Sequence, residues 1–235
     1  MQLTVREVSK CLNVSEATVI RWVRQRNLPA RRVAGQHRFN RVEVMEWATA
    51  NQIKVSPEVF KHLQVDEEPV PMLAEALAEG GIVYDLPSAN KEQALRAVVH
   101  ELPVPKDTNR ELLVHLFLAR EASASTALGN GIAIPHVKSP IVVSVVKPMI
   151  TLAFLAEPID FGAFDGKPVH TFFTIISPTT RGHLQLLSRL SIALHDGPFR
   201  EVLGRKAPRA EILREVRRIE SSLAVADGGF GKVPS

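Results

Sequence analysis

The chain has 235 residues, 45% of them hydrophobic and 23% charged, which is ordinary for a folded globular protein and long enough for one large domain or two smaller ones. Its one cysteine, Cys11, excludes an internal disulfide and suits a reducing cytosol. The net charge of +4 is unevenly placed: residues 1–50 hold nine Lys/Arg against four Asp/Glu, and residues 51–235 hold twenty against twenty-one. A compact basic head on a near-neutral body points to a polyanion site at the N-terminus, with a merely solvated basic face as the alternative. The start of the chain is charged and periodic at once, unlike a signal peptide. The most apolar stretch, Ile141 to Leu155, is broken by Lys147 and Pro148, so core strands are expected there, with no membrane insertion and a cytoplasmic location.

In the head, Thr4 and Glu7 have the spacing of a capping box, followed by Val5, Val8 and Leu12 at helical intervals. Asn13 suits a tight left-handed turn, and Ser15 is placed to cap a second helix reaching about Arg26. Val19, Trp22 and Val23 form the expected buried stripe of that helix. Two short helices joined by so tight a turn form a helix-turn-helix, whose second helix can enter the major groove. Pro29 blocks extension of that helix, and residues 31–39 then alternate around Gly35, as a β-wing with cations on both strands would. Asn40 and Glu43 predict a second capping box, with Val44, Trp47 and Ala48 packing the last helix back.

Residues 1–50 resemble the excisionase-like and MerR-like winged helix-turn-helix domains. The likeness rests on Leu3-Thr4-Val5, Glu7-Val8, Leu12 to Ser15, Thr18-Val19, Leu28 to Ala30, and Phe39 through Trp47. It implies that Thr18 and Arg21, with Glu16 a further candidate, contact base edges. Arg24, Arg31, Arg32, His37 and Arg38 would hold backbone phosphates. A long dimerisation helix is missing, so a lone module would bind DNA weakly, and a homodimer or tandem sites would be needed. The competing reading is a small protein-interaction domain.

The domain boundaries expected are 1–52 for the head, 53–72 for a proline-rich acidic linker, 73–221 for the body and 222–235 for a disordered tail. The body alternates helical and strand patterns, predicting an α/β fold with a mixed sheet and flanking helices. Helices are expected over 73–79, 90–101, 108–121, 183–195 and 208–220, and strands over 131–134, 141–145, 150–155 and 171–176. Its informative run is Ser125 to His136, in which polar residues and glycines offer backbone N–H groups and a proline sets the direction of the histidine. One imidazole nitrogen can attack phosphorus while the other holds its proton against a carbonyl. Arg120 is the best cation for such a site, His183 a candidate donor, and Ser125 and Thr126 possible hydroxyl ligands of phosphate. On residue chemistry alone, a structural histidine is the favoured reading of the Pro-His pair.

Residues 73–221 resemble the fructose/mannitol/nitrogen (PtsN-like) enzyme IIA domains of the bacterial phosphotransferase system. The likeness is carried by Arg120-Glu121, Ser125-Thr126, Gly129 through His136, Ile159 to Ala163, Asp165 to Val169, and His183-Leu184 with Leu187 and Leu190. It implies that His136 takes a phosphoryl group from an HPr-type carrier, with Arg120 and His183 as anion partners. Val137 departs from the small residue usual after the histidine, which implies either narrowed carrier access or an altered transfer rate. The eight histidines and one cysteine show no metal-ligand spacing and no Walker-type loop occurs, so neither a metal nor a cofactor is expected. The two halves together read as a DNA-binding transcriptional regulator that reports phosphorylation state. The alternatives are a phosphocarrier component tethered by its head, or a binding module that handles no phosphate.

Overall fold

The computed structural model describes residues 2–33, 35–51, 53, 55, 71–137 and 145–228. The head runs β1 (Gln2–Leu3), α1 (Val5–Cys11), α2 (Glu16–Gln25), β2 (Arg31–Val33), β3 (Gln36–Asn40) and α3 (Arg41–Ala50). The capping box at α1 forms: Glu7 N–H donates to Thr4 Oγ1 at 3.2 Å, and Thr4 N–H donates to Glu7 Oε2 at 2.7 Å. Asn13 turns the chain at φ 50° and Ser15 Oγ accepts from Thr18 N–H at 3.1 Å, so α1 and α2 meet across the expected tight turn. Gly35 at φ +77° closes the wing, and β3 lies between β2 and the unforeseen β1. Asn40 does cap α3, but it accepts from Val42 N–H at 2.9 Å, where a capping box with Glu43 was expected. Leu3, Val8, Val19, Leu28, Phe39 and Val44 form the core of the head.

The body comprises α4 (Leu73–Gly80), β4 (Ile82–Leu86), α5 (Lys91–Glu101), α6 (Arg110–Ser123), β5 (Ala127–Gly129), β6 (Ile132–Ala133), β7 (Met149–Ile159), β8 (Val169–Ile176), α7 (Thr180–Ala193), α8 (Gly197–Gly204) and α9 (Arg209–Gly228). Its strands form one mixed sheet in the order β4-β7-β8-β6-β5, with β4–β7 and β6–β8 parallel and the other pairs antiparallel. Side chains alternate across it. Leu152, Phe154, Phe173 and Ile175 join the apolar cluster that includes α4, α7, α8 and α9, while Ala153, Leu155, Phe172 and Ile176 join that of α5 and α6. This is a sheet with helices on both faces, the α/β body anticipated. The first cluster also continues into the head through Val44, Met45 and Ala48.

Three differences have physical causes. Strands β4 and β5 and helix α8 are too short for a clear period, and neighbouring elements define them. The expected disordered tail is corrected over 222–228, because α9 runs to Gly228 through helix-forming residues with no earlier glycine or proline. The expected strand over 141–145 lies outside the described residues except for Val145, as does the linker over 56–70, although Val55 beside it is buried. Glu220, buried at 4% exposure, accepts from the N–H groups of Leu73 at 2.5 Å and Ala74 at 3.1 Å, so α9 caps α4.

Candidate functional site

The residues after β6 lead Pro135 and His136 alongside β8, where His136 pairs with Ile175 in a parallel bridge. The turn that sends the chain there uses three successive left-handed residues, Gly129 (φ 79°), Asn130 (φ 51°) and Gly131 (φ 76°). Asp165 Oδ2 accepts from Asn130 N–H at 2.7 Å and steadies this turn; that backbone hydrogen bond holds the Asp165 carboxyl below its ordinary range. The amides of Thr126, Ala127, Asn130 and Ile134 in this run are occupied by the fold. Thr126 N–H donates to Glu121 Oε2 at 3.0 Å, Ala127 N–H to Ser125 Oγ at 3.3 Å and Ile134 N–H to Thr126 O at 3.0 Å. These four N–H groups brace the loop and do not cradle an anion.

His136 Nδ1 lies 2.7 Å from the Ile134 carbonyl, which can only accept, so Nδ1 carries a proton and Nε2 is the nitrogen turned to the site. Arg120 comes from the last turn of α6, where its Nη1 donates to the Ala124 carbonyl at 2.8 Å. The adjacent Glu121 fixes the following loop by accepting from the Thr126 hydroxyl at 2.6 Å. His183 comes from the first turn of α7, capped by Thr179 Oγ1, and its ring centroid lies 5.1 Å from that of His136. Thus His136, Arg120 and His183, far apart in sequence, converge.

Ser125 and Thr126 have their hydroxyls engaged by other partners. Ser125 Oγ donates to the Phe161 carbonyl at 3.0 Å and Thr126 is tied to Glu121, so both brace the loop that carries Arg120. Val137, expected to crowd the acceptor, is 5% exposed and packs in the cluster on the α5–α6 side of the sheet.

The residue that sequence reasoning missed is Glu46, on α3 of the head. Its Oε1 lies 2.8 Å from His136 Nε2, and its Oε2 accepts from Arg120 Nη2 at 2.8 Å. Burial alone would raise the Glu46 carboxyl, but the hydrogen bond and charge of His136, followed by the Arg120 charge, hold it at about 2 against an ordinary 4.5. Burial and then the His136 charge push His183 from 6.5 down to about 3, so that ring is neutral near pH 7. His136 itself is 3% exposed, walled off by the head. A cavity of about 410 Å³ opens along the seam beside Pro29, Trp47, Arg120 and Ser125. Ligand atoms of Glu46, His136 and His183 lie within 4.8 Å of one another, a spacing compatible with a metal ion. The guanidinium on the second carboxylate oxygen opposes a cation there.

On the head, Arg21, Arg24, Arg31 and Arg32 are exposed, whereas His37 and Arg38 are half-buried. Thr18 is half-buried, with its hydroxyl 2.9 Å from that of Ser15. Among the described residues, no helix is long and apolar enough to cross a membrane.

Residues 75–218 match the family described as phosphoenolpyruvate-dependent sugar phosphotransferase system, EIIA 2, and residues 3–52 match a helix-turn-helix domain. The chain is 33% identical over 150 residues to a nitrogen regulatory protein of Pseudomonas aeruginosa, covering 61% of this chain and 93% of that protein. It is 38% identical over 125 residues to a PTS system fructose-specific EIIA component of Haloferax volcanii, covering 52% and 79% respectively. Among solved structures, the nitrogen regulatory protein IIA-Ntr from Neisseria meningitidis superposes with a TM-score of 0.53 at 27% identity, covering 61% of this chain and 98% of that one. The chain therefore belongs to the phosphotransferase system EIIA 2 family, with a helix-turn-helix domain preceding its EIIA body.

Proposed function

We propose that the protein is a DNA-binding transcriptional regulator whose EIIA body accepts a phosphoryl group on His136 Nε2 from the phosphohistidine of an HPr-type carrier. The observation that carries this reading is the pairing of a Nδ1–H held by the Ile134 carbonyl with a guanidinium, Arg120, on the Nε2 side. The fixed Nδ1–H sets the tautomer and leaves Nε2 to react once it is free of its own proton. Arg120 balances the charge of the incoming group. His183, neutral at pH 7, adds a polar ring without competing for the anion.

For DNA, the exposed face of α2 supplies Arg21 for base edges, with Thr18 beside it, and Arg24 for phosphate. Arg31 and Arg32 on the wing hold backbone, with Arg38 and His37 opposite them on β3. A homodimer on paired half-sites would supply the affinity that a single module lacks. Labelling with radioactive phosphoenolpyruvate and the general carriers tests the acceptor: His136 is labelled, and His136→Ala is not. An unlabelled full-length protein overturns this part.

A second reading is a phosphocarrier component whose head is a tether, favoured by the similarity to a fructose-specific EIIA component. Retention on DNA across a salt series separates the two. A regulator loses affinity steeply as salt rises, and a tethered carrier shows no such binding.

A further inference from the structure

Among the described residues, Glu46 is the head's side chain that hydrogen-bonds to His136 and Arg120. It projects from α3, whose neighbouring residues Val44, Met45 and Ala48 are buried, and α3 packs against α7 and β5 of the body. Its two oxygens engage the two groups that a phosphoryl group on Nε2 would need. Oε1 lies 2.8 Å from that nitrogen and Oε2 lies 2.8 Å from the Arg120 guanidinium. A phosphorus atom bonded to Nε2 has to occupy the space of Glu46 Oε1, and its oxygens would repel the carboxylate from Arg120. The same helix closes the face by which a carrier protein would approach, leaving His136 3% exposed.

We propose that Glu46 is a built-in stand-in for the phosphoryl group, so that docking of the head and phosphorylation of His136 exclude one another. This rests on the reading of His136 as the acceptor. In the docked state Nδ1–H faces a carbonyl and a Glu46 oxygen caps Nε2, so Nε2 is not available to a phosphoryl donor. Release of α3 uncovers Nε2. The freed lone pair then forms the new N–P bond, while the carrier's N–P bond breaks and its electron pair returns to the carrier imidazole, which takes up a proton. Only the released fraction of the protein reacts, so docking slows the transfer in proportion to its own stability. Once phosphorylated, the body has lost the position that held Glu46, and the head is free.

Both tryptophans, Trp22 and Trp47, lie in the head, and Trp47 lines the seam cavity, so their emission reports on release. The test uses the full chain with phosphoenolpyruvate and catalytic amounts of the general carriers, comparing wild type, Glu46→Gln and Glu46→Ala. Glu46→Gln keeps the shape and guards against misfolding of the alanine variant. Both variants are expected to be phosphorylated about tenfold faster or more, on His136. Wild-type emission is expected to move to longer wavelength on phosphorylation, and His136→Ala to show no such change. Equal rates with His136 labelled, or an unchanged emission in the phosphorylated wild type, overturn the exclusion while leaving the acceptor assignment standing. No label in any form overturns the acceptor assignment and this inference with it.

Discussion

Glu46 Oε1 and His136 Nε2 are 2.8 Å apart, although 90 positions separate them in the chain. The contact joins a helix of the helix-turn-helix domain to a histidine of the EIIA domain. It turns two modules that are each familiar alone into one electrostatic unit with Arg120 at its centre.

Replacing Arg120 tests that unit. Arg120 uses its fork in two directions, to the Ala124 carbonyl and to Glu46, and a lysine ammonium cannot hold both. Arg120→Gln leaves Glu46, 19% exposed, with His136 as its remaining partner, and the lost charge-assisted hydrogen bond should cost about 1–3 kcal/mol. Urea unfolding should read that loss. Phosphorylation of His136 should slow by about 10²–10³-fold, even as the head releases more readily, because the transition-state charge loses its counterion. A variant with normal rate and normal stability contradicts both roles.

Acid should undo the site in two steps. His183 has its folded value lowered to about 3 from 6.5, so its contribution is fully present above 6.5 and is lost as pH falls toward 3. Glu46, lowered to about 2 from 4.5, contributes above 4.5 and is lost as pH falls through 2. The Glu46 share is on the order of 3 kcal/mol. Urea midpoints of wild type and Glu46→Gln measured from neutral pH downward should converge below 4.5. A constant gap across that range contradicts the assignment.

Gly80 tests the sheet independently of the chemistry. A Cβ there would lie 2.2 Å from the Ile150 carbonyl oxygen, backbone that cannot shift without disturbing β7. Gly80→Ala should therefore destabilise by about 1–3 kcal/mol or more. Gly197→Ala, in the first turn of α8 with open space around it, should be neutral or stabilising by about 0.4–1 kcal/mol. Thermal melts of the two variants check the contrast.

The exposed arginines of the head predict two kinds of defect on DNA. Arg31→Ala or Arg32→Ala should weaken all sequences alike and flatten the log–log salt dependence by about 0.9 per lost phosphate contact. Arg21→Ala should alter sequence preference by about 1–3 kcal/mol at the base it reads. Binding assays on a randomised duplex pool at several salt concentrations distinguish them.

Much of this was legible in the sequence because it is local. The Thr4–Glu7 box, the Asn13 turn, the Ser15 cap and the Gly35 wing each depend on residues a few positions apart, and each formed. The convergence of Arg120, His136 and His183 came from family resemblance; spacing alone could not bring residues from α6, the segment after β6, and α7 together. Ser125 and Thr126 were assigned to phosphate because hydroxyls suit anions, yet their nearest partners, Phe161 and Glu121, had first claim. Glu46 carried no signal, since a lone glutamate on a short helix reads as a solvated face. Only the packing of α3 on the body gives it a role.

The most direct measurement is nitrogen-15 NMR of the histidine rings in the full chain after phosphorylation by the carrier system. The account predicts a phosphoryl group on His136 Nε2, with Nδ1 still protonated against the Ile134 carbonyl. A phosphoryl group on Nδ1, on another residue, or on none would contradict it.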